Sequence, residues 1–190
     1  MPRRYDPDRR RRIIDAAIRV VGRDGIAGLS HRSVAAEADV PLGSTTYHFA
    51  TLEELMVAAL RQANENFARV LAERLPEKQQ GREELAADLA RALGEWLGGD
   101  RTGVELEYEL YLAALRRPVL RPVAAEWTED AAALLARHTD PVTSRALLAL
   151  MDGICLQVLL TGGSYDETYA RAALARLIPC PRAASARPVP

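Results

Sequence analysis

Apolar residues recur along this chain at the three- and four-residue spacing that gives a helix one buried side. Ile14, Ala17, Ile18 and Val21 fall at i, i+3, i+4 and i+7, which predicts an amphipathic helix. Asp6 followed by Pro7 marks its start, because an N-cap oxygen precedes the residue best tolerated in a first helical position, and Gly25 marks its end. Ser30 is the next N-cap; it opens a short helix with Val34, Ala35 and Ala38 turned inward, stopped by Pro41. A third short helix is expected from Leu42 to His48. Thr51 to Glu54, "TLEE", reads as a capping box and starts a fourth helix that runs to about Leu75, where Pro76 ends it.

Punctuation continues in helical units beyond Pro76. The segments Glu84 to Leu97, Val104 to Arg117 and Val119 to His138 each predict a helix, the last with a start delayed by Pro122. Asp140-Pro141 begins a long helix that Gly162-Gly163 ends, and Asp166 to Ile178 forms the last. The prolines and small residues of 179–190 predict a disordered tail. The expected class is all-α with about nine helices. Residues 1–50 form one domain and 51–178 a second, larger helical one.

Composition agrees, since alanine, leucine, arginine and glutamate dominate while aromatics make up only 5% of the 190 residues. The net charge of -1 hides an uneven distribution. Residues 1–50 carry nine arginines against six acids, so a basic first quarter is joined to an acidic remainder, and only the former suits a polyanion. Cys155 and Cys180 have no C-x-x-C spacing and no paired histidines beside them, so no disulfide, zinc site or other cofactor is expected. The longest apolar run, "ALLALMDGICLQVLL", is shorter than a bilayer span and contains Asp152 and Gln157. No membrane partner follows, and the expected location is the cytoplasm.

Chemistry concentrates in "VPLGSTTYHF", Val40 to Phe49. Hydroxyls beside a histidine could form a nucleophile and its base, but no G-x-S-x-G and no partner carboxylate accompany them. A phosphate loop fails as well, because "GSTT" lacks the P-loop lysine and follows no strand. Two short helices joined by a tight turn have instead the dimensions of a helix-turn-helix. With Ala35, Val40 and Phe49 packed inward, Leu42, Gly43, Ser44, Thr46, Tyr47 and His48 are left on the outer side, where hydroxyls and an imidazole meet phosphates or base edges.

From Arg9 to Leu55 the sequence "RRIIDAAIRVVGRDGIAGLSHRSVAAEADVPLGSTTYHFATLEEL" resembles the DNA-binding domain of the tetracycline-repressor family of bacterial regulators. The resemblance implies that the helix from Leu42 enters the major groove of an operator, that Arg32 and Ser33 approach the backbone, and that Ser44, Thr46, Tyr47 and His48 touch phosphates or bases. Three positions differ from the family's usual pattern: Asp39 replaces the turn glycine, Thr46 a tyrosine and Leu52 a lysine. One phosphate contact is lost with that lysine. The arginines of the amino-terminal arm, Arg3, Arg4 and Arg9 to Arg12, are placed to compensate.

The resemblance also implies that the helices after Thr51 sense a small-molecule effector and that the last two pair with a second subunit. The chain supports a homodimer on its own terms. Ala146 to Leu160 is apolar nearly all round, and Ala170, Ala173, Leu174 and Leu177 form a small-residue face for close helix packing. A helix buried within a monomer is the competing reading. Candidate effector residues are Glu105, Tyr108 and Glu109 on one helix, with the aromatics Trp96, Tyr111 and Trp127. Acids early and arginines late in "VELEYELYLAALRR" also suit a solvated helix, and each aromatic also suits a core. The function expected is a ligand-responsive, DNA-binding repressor, not an enzyme. An all-helical carrier or enzyme whose N-terminal helices are only scaffold is the alternative.

Overall fold

A computed structural model describes residues 7–75, 81–99 and 101–179. Among these residues run nine α-helices: α1 (Arg9–Gly28), α2 (His31–Glu37), α3 (Leu42–His48), α4 (Leu52–Arg74), α5 (Arg82–Gly98), α6 (Arg101–Ala113), α7 (Arg121–Leu135), α8 (Pro141–Thr161) and α9 (Glu167–Leu177). A 3-10 turn at Pro118–Leu120 precedes α7, and no strand occurs among the described residues. The class is all-α, as the apolar spacing implies.

Helix boundaries follow local chemistry. Asp140 accepts from the N–H groups of Val142 and Thr143 at 3.0 and 3.1 Å, while Gly162 ends α8 in the left-handed region at φ 66°. Gly25 interrupts α1 at φ 70°, ψ 174°, a conformation open in practice only to glycine. The Ile26 N–H freed there donates to Glu109 Oε1 of α6 at 2.8 Å. The capping box at Thr51 forms with one change: Glu54 N–H donates to Thr51 Oγ1, whereas the Glu54 carboxylate reaches the N–H of Ala50. Helix α6 differs more from expectation, starting at Arg101 and ending at Ala113 rather than running to Arg117. Pro118 disfavours helical backbone at Arg117, and the Arg121 guanidinium donates to the end carbonyls of Ala114 and Leu115, both at 3.2 Å.

The chain divides into two compact units, Met1–Ala68 with Gly98–Glu129, and Arg69–Leu97 with Asp130–Pro190. In the first, Ile13, Ala17 and Val20 of α1 share a core with Val34 of α2, Phe49, Leu55 and Leu60 of α4, and Leu106 and Leu110 of α6. That unit joins helices on both sides of residue 50 because α6 lays its apolar stripe on α1. In the second, Leu85 and Leu89 of α5, Leu147 and Ile154 of α8, and Leu174 of α9 are buried. The Tyr165 hydroxyl donates to the Ala90 carbonyl at 2.6 Å, its ring lying against Gly94, where a β-carbon would meet it at 3.0 Å. Helix α8 is long and apolar enough to cross a membrane by length and composition only.

Candidate functional site

The α2–turn–α3 segment is held by a small set of hydrogen bonds. Ser30 and Ser33 cap α2 reciprocally: Ser33 N–H donates to Ser30 Oγ at 3.0 Å, and Ser30 N–H to Ser33 Oγ at 2.9 Å. The turn passes through Asp39 at φ 51°, the left-handed conformation that aspartate tolerates better than most residues. Thr45 is fully buried and its hydroxyl donates to the Leu42 carbonyl at 2.8 Å. Phe49, also buried, anchors the end of α3 in the α1 core.

These anchors fix which side chains face outward. Tyr47 is 84% exposed and its ring stands edge-on to that of His48, with centroids 5.2 Å apart. Leu42, Gly43 and Thr46 are exposed beside it, His48 is half-buried, and Arg32 is exposed at the start of α2. A β-carbon at Gly43 would meet no atom within 4 Å, so packing inside the chain makes no demand for glycine there. Ser44 departs from the outward placement expected of it: it is 9% exposed, because inserting Thr45 and Phe49 turns its side of the helix inward. Ser33 departs too. Its hydroxyl is half-buried and committed to the cap, donating to the Gly28 carbonyl at 2.9 Å.

The arginine run is not a free arm where it is described. Arg9 to Arg12 form the first turn of α1; Arg12 donates to the Ala38 carbonyl at 3.0 Å, at the carbonyl end of α2, and the Arg10 guanidinium lies 5.0 Å from the Phe49 ring centre. Arg3 and Arg4 lie outside the described residues. Arg19 and Arg23 both pair with Glu37 of α2, at 2.7 and 2.9 Å, and hold its carboxyl below the usual carboxylate range. The basic face of α1 therefore spends much of its charge gripping α2 and the end of α3.

The expected effector residues are scattered. Glu105 is exposed and paired with Arg101 at 2.9 Å, an i,i+4 surface pair, and Glu109 is exposed and holds the Ile26 N–H. Neither lines a buried site, because both follow the solvated stripe of α6. Tyr108 and Tyr111 are half-buried on α6, and the Tyr111 hydroxyl is 3.4 Å from Thr128 Oγ1 of α7. Trp127 is buried and meets Phe67 of α4 edge-on at 5.2 Å. Trp96 is half-buried in α5, in the other compact unit. Two buried polar residues were missed: Asn64 of α4, 7% exposed, and Glu107 of α6, 8% exposed. Both interrupt apolar stripes, Asn64 between Leu60 and Phe67 and Glu107 between Val104 and Leu110, so that interruption was readable. A cleft of about 720 Å³ runs beside α3 and α4, lined by Arg10, His48, Phe49, Glu53 and Arg61 among others. No cluster of metal-binding side chains occurs among the described residues.

Residues 80–180 match the model of the tetracyclin repressor-like C-terminal domain. Over 165 residues the chain is 30% identical to the HTH-type nicotine-responsive transcriptional repressor HdnoR of Paenarthrobacter nicotinovorans, spanning 79% of this chain and 83% of that one. It is similar to the crystal structure of the multidrug binding protein EbrR complexed with ethidium: 74% identity, TM-score 0.78, covering 90% of this chain and 99% of the other. EbrR complexes with proflavin and malachite green show the same likeness, at 75% and 72% identity. A tetracycline-repressor family member from Streptomyces coelicolor is 74% identical, with TM-score 0.82, over 91% of this chain and 99% of that one.

Proposed function

The chain belongs to the tetracycline-repressor family and is a ligand-responsive, helix-turn-helix regulator of transcription; from that premise we propose that it is a homodimeric repressor, released from a palindromic operator by an aromatic cation. Residues 1–50 are the DNA-reading part, and 51–178 sense the effector and pair the subunits. The observation that carries the reading is the exposed face of α3, where Tyr47, Thr46, Gly43 and Leu42 project beyond a helix that Thr45 and Phe49 lock in place. A locked helix that exposes the Tyr47 phenol and the Thr46 hydroxyl on one side is pre-organised for a groove. Arg32 stands ready for the backbone, and His48 contributes from its half-buried position.

Pairing of subunits is supported by α8 and α9. Val142 and Leu160, near the two ends of α8, are 79% and 83% exposed, and Tyr169 and Leu177 of α9 are exposed as well. Covering such side chains with the same helices of a second copy is the economical use of them. The class of effector follows from EbrR, whose ligands ethidium, proflavin and malachite green are aromatic cations. Effector binding favours a subunit arrangement in which the two α3 helices no longer match successive grooves, and release follows from the difference in affinity of the two arrangements. No catalytic step enters this scheme, and a regulator that meets chromosomal DNA works in the cytoplasm.

Selection of bound fragments from genomic DNA tests the proposal. The expected product is a two-fold symmetric site with half-site centres about 34 Å apart or a multiple of it. Recovery of fragments without common sequence or symmetry would overturn the operator reading.

A further inference from the structure

Leu42 is chemically out of place on the outward face of α3. Its aliphatic side chain is 46% exposed, and its exposed neighbours on that helix are Gly43, Thr46 and Tyr47, which are bare or carry a hydroxyl. The apolar residues that flank it in sequence behave differently. Val40 and Leu52 pack against the core of the first unit, and Leu42 is not among the side chains that do so. Its exposure is therefore no overflow from the core, and burying it against a partner would gain what the fold leaves unused.

Its place on the helix indicates the partner. Leu42 and Thr46 stand one turn apart, as do Gly43 and Tyr47, so the four form a single outward stripe, while Ser44 and Thr45 are buried on the opposite side. Gly43 adds room beside the leucine. A β-carbon there would meet no atom within 4 Å, and glycine weakens a helix relative to alanine, so neither packing nor helix stability asks for it. A bare residue next to Leu42 lets that part of the stripe come close to a base edge. The major groove presents hydrogen-bond donors and acceptors and one methyl group, that of thymine. Resting on the operator reading above, we propose that Leu42 packs on the C5-methyl group of a thymine in each half-site and so selects a T·A pair at that position. Cytosine in the same place would set an amino N–H against the leucine, with no acceptor to replace water. Thr46 and Tyr47, one turn along, are left to make the hydrogen bonds.

Deoxyuridine separates the methyl contact from everything else, because it differs from thymidine only in lacking that group. A duplex recovered by selection from genomic DNA is resynthesised with deoxyuridine at one thymine position at a time, in both half-sites. Fluorescence anisotropy then gives the affinity of each duplex for the full chain and for Leu42→Ala. The side chain lies outside the core, so the variant is expected to melt with the parent. At one thymine position the parent is expected to lose about fourfold for each half-site altered, the worth of burying one methyl group. Leu42→Ala is expected to bind the natural duplex more weakly and to change less than about twofold on the same replacement. Absence of any thymine whose methyl group matters to the parent, or equal losses in parent and variant, would overturn the assignment. Recovered fragments that share no sequence would overturn the operator reading itself, and this assignment with it.

Discussion

Tyr47 is the residue on which the DNA reading depends most directly. Its ring contributes nothing to the core, so removing it tests binding without disturbing the fold. Tyr47→Ala is expected to weaken operator binding by about 1 kcal/mol or more, as loss of a phenol-to-phosphate hydrogen bond does, with the melting temperature unchanged. Unchanged operator affinity in a fluorescence anisotropy titration would take α3 out of the groove. At this scale the sequence was legible wherever a side chain's role follows from its own stripe. Thr46 and Tyr47 face out, and Ala35 and Phe49 face in. It was illegible wherever a small hydroxyl had two equal uses. Ser33 caps α2 and Ser44 turns inward, because a serine serves a backbone N–H or a solvated face equally well and tertiary packing decides which. Asn64 and Glu107 were missed for a related reason: a polar residue in an apolar stripe is a weak signal until its burial is known.

Elements were more legible than residues. Capping residues and prolines placed most helix starts within a few residues, since Ser30, Asp140 and Asp166 each accept the backbone N–H that their position requires. Helix α6 is the exception, because its early end depends on Arg121 reaching back to the Ala114 and Leu115 carbonyls, a contact that no local pattern announces. The arginine run is another, since Arg12 and Arg10 are taken up by α2 and Phe49 rather than left for phosphate.

The turn between α7 and α8 carries a pH dependence of its own. His138 is buried there, its Nδ1 without a hydrogen-bond partner among the described residues, and burial, with the charge of Arg137, lowers its pKa. The unfolded chain protonates near the ordinary value of about 6.5 while the folded chain still resists. Stability from this group is therefore full above that pH and is lost as pH falls toward the folded pKa. The urea midpoint is expected to drop further between pH 7.5 and 5.5 in the parent than in His138→Gln. Identical drops would assign the pH dependence elsewhere.

For the whole molecule, charge is the relevant quantity. A total of -1 is no obstacle to DNA binding, because residues 1–50 carry nine arginines against six acids while the acidic excess lies in the remainder. Much of that arginine surplus is nevertheless used inside the fold, with Arg19 and Arg23 on Glu37 and Arg12 on the end of α2. On the proposed reading specificity leans on the exposed face of α3, and the salt dependence is expected to be shallower than a count of arginines suggests. In the proposed dimer two copies would give that face an operator's symmetry, and the exposed apolar residues of α8 and α9 would join them.

The central claim, that the chain reads DNA sequence through α3, is tested most directly by fluorescence anisotropy on the duplex upstream of its own gene and on a scrambled duplex of equal composition, each across a range of salt. The natural duplex is expected to bind at least about a thousandfold more tightly near physiological salt, with log affinity falling linearly against log salt for both. Equal affinities for the two duplexes, or binding indifferent to salt, would contradict it.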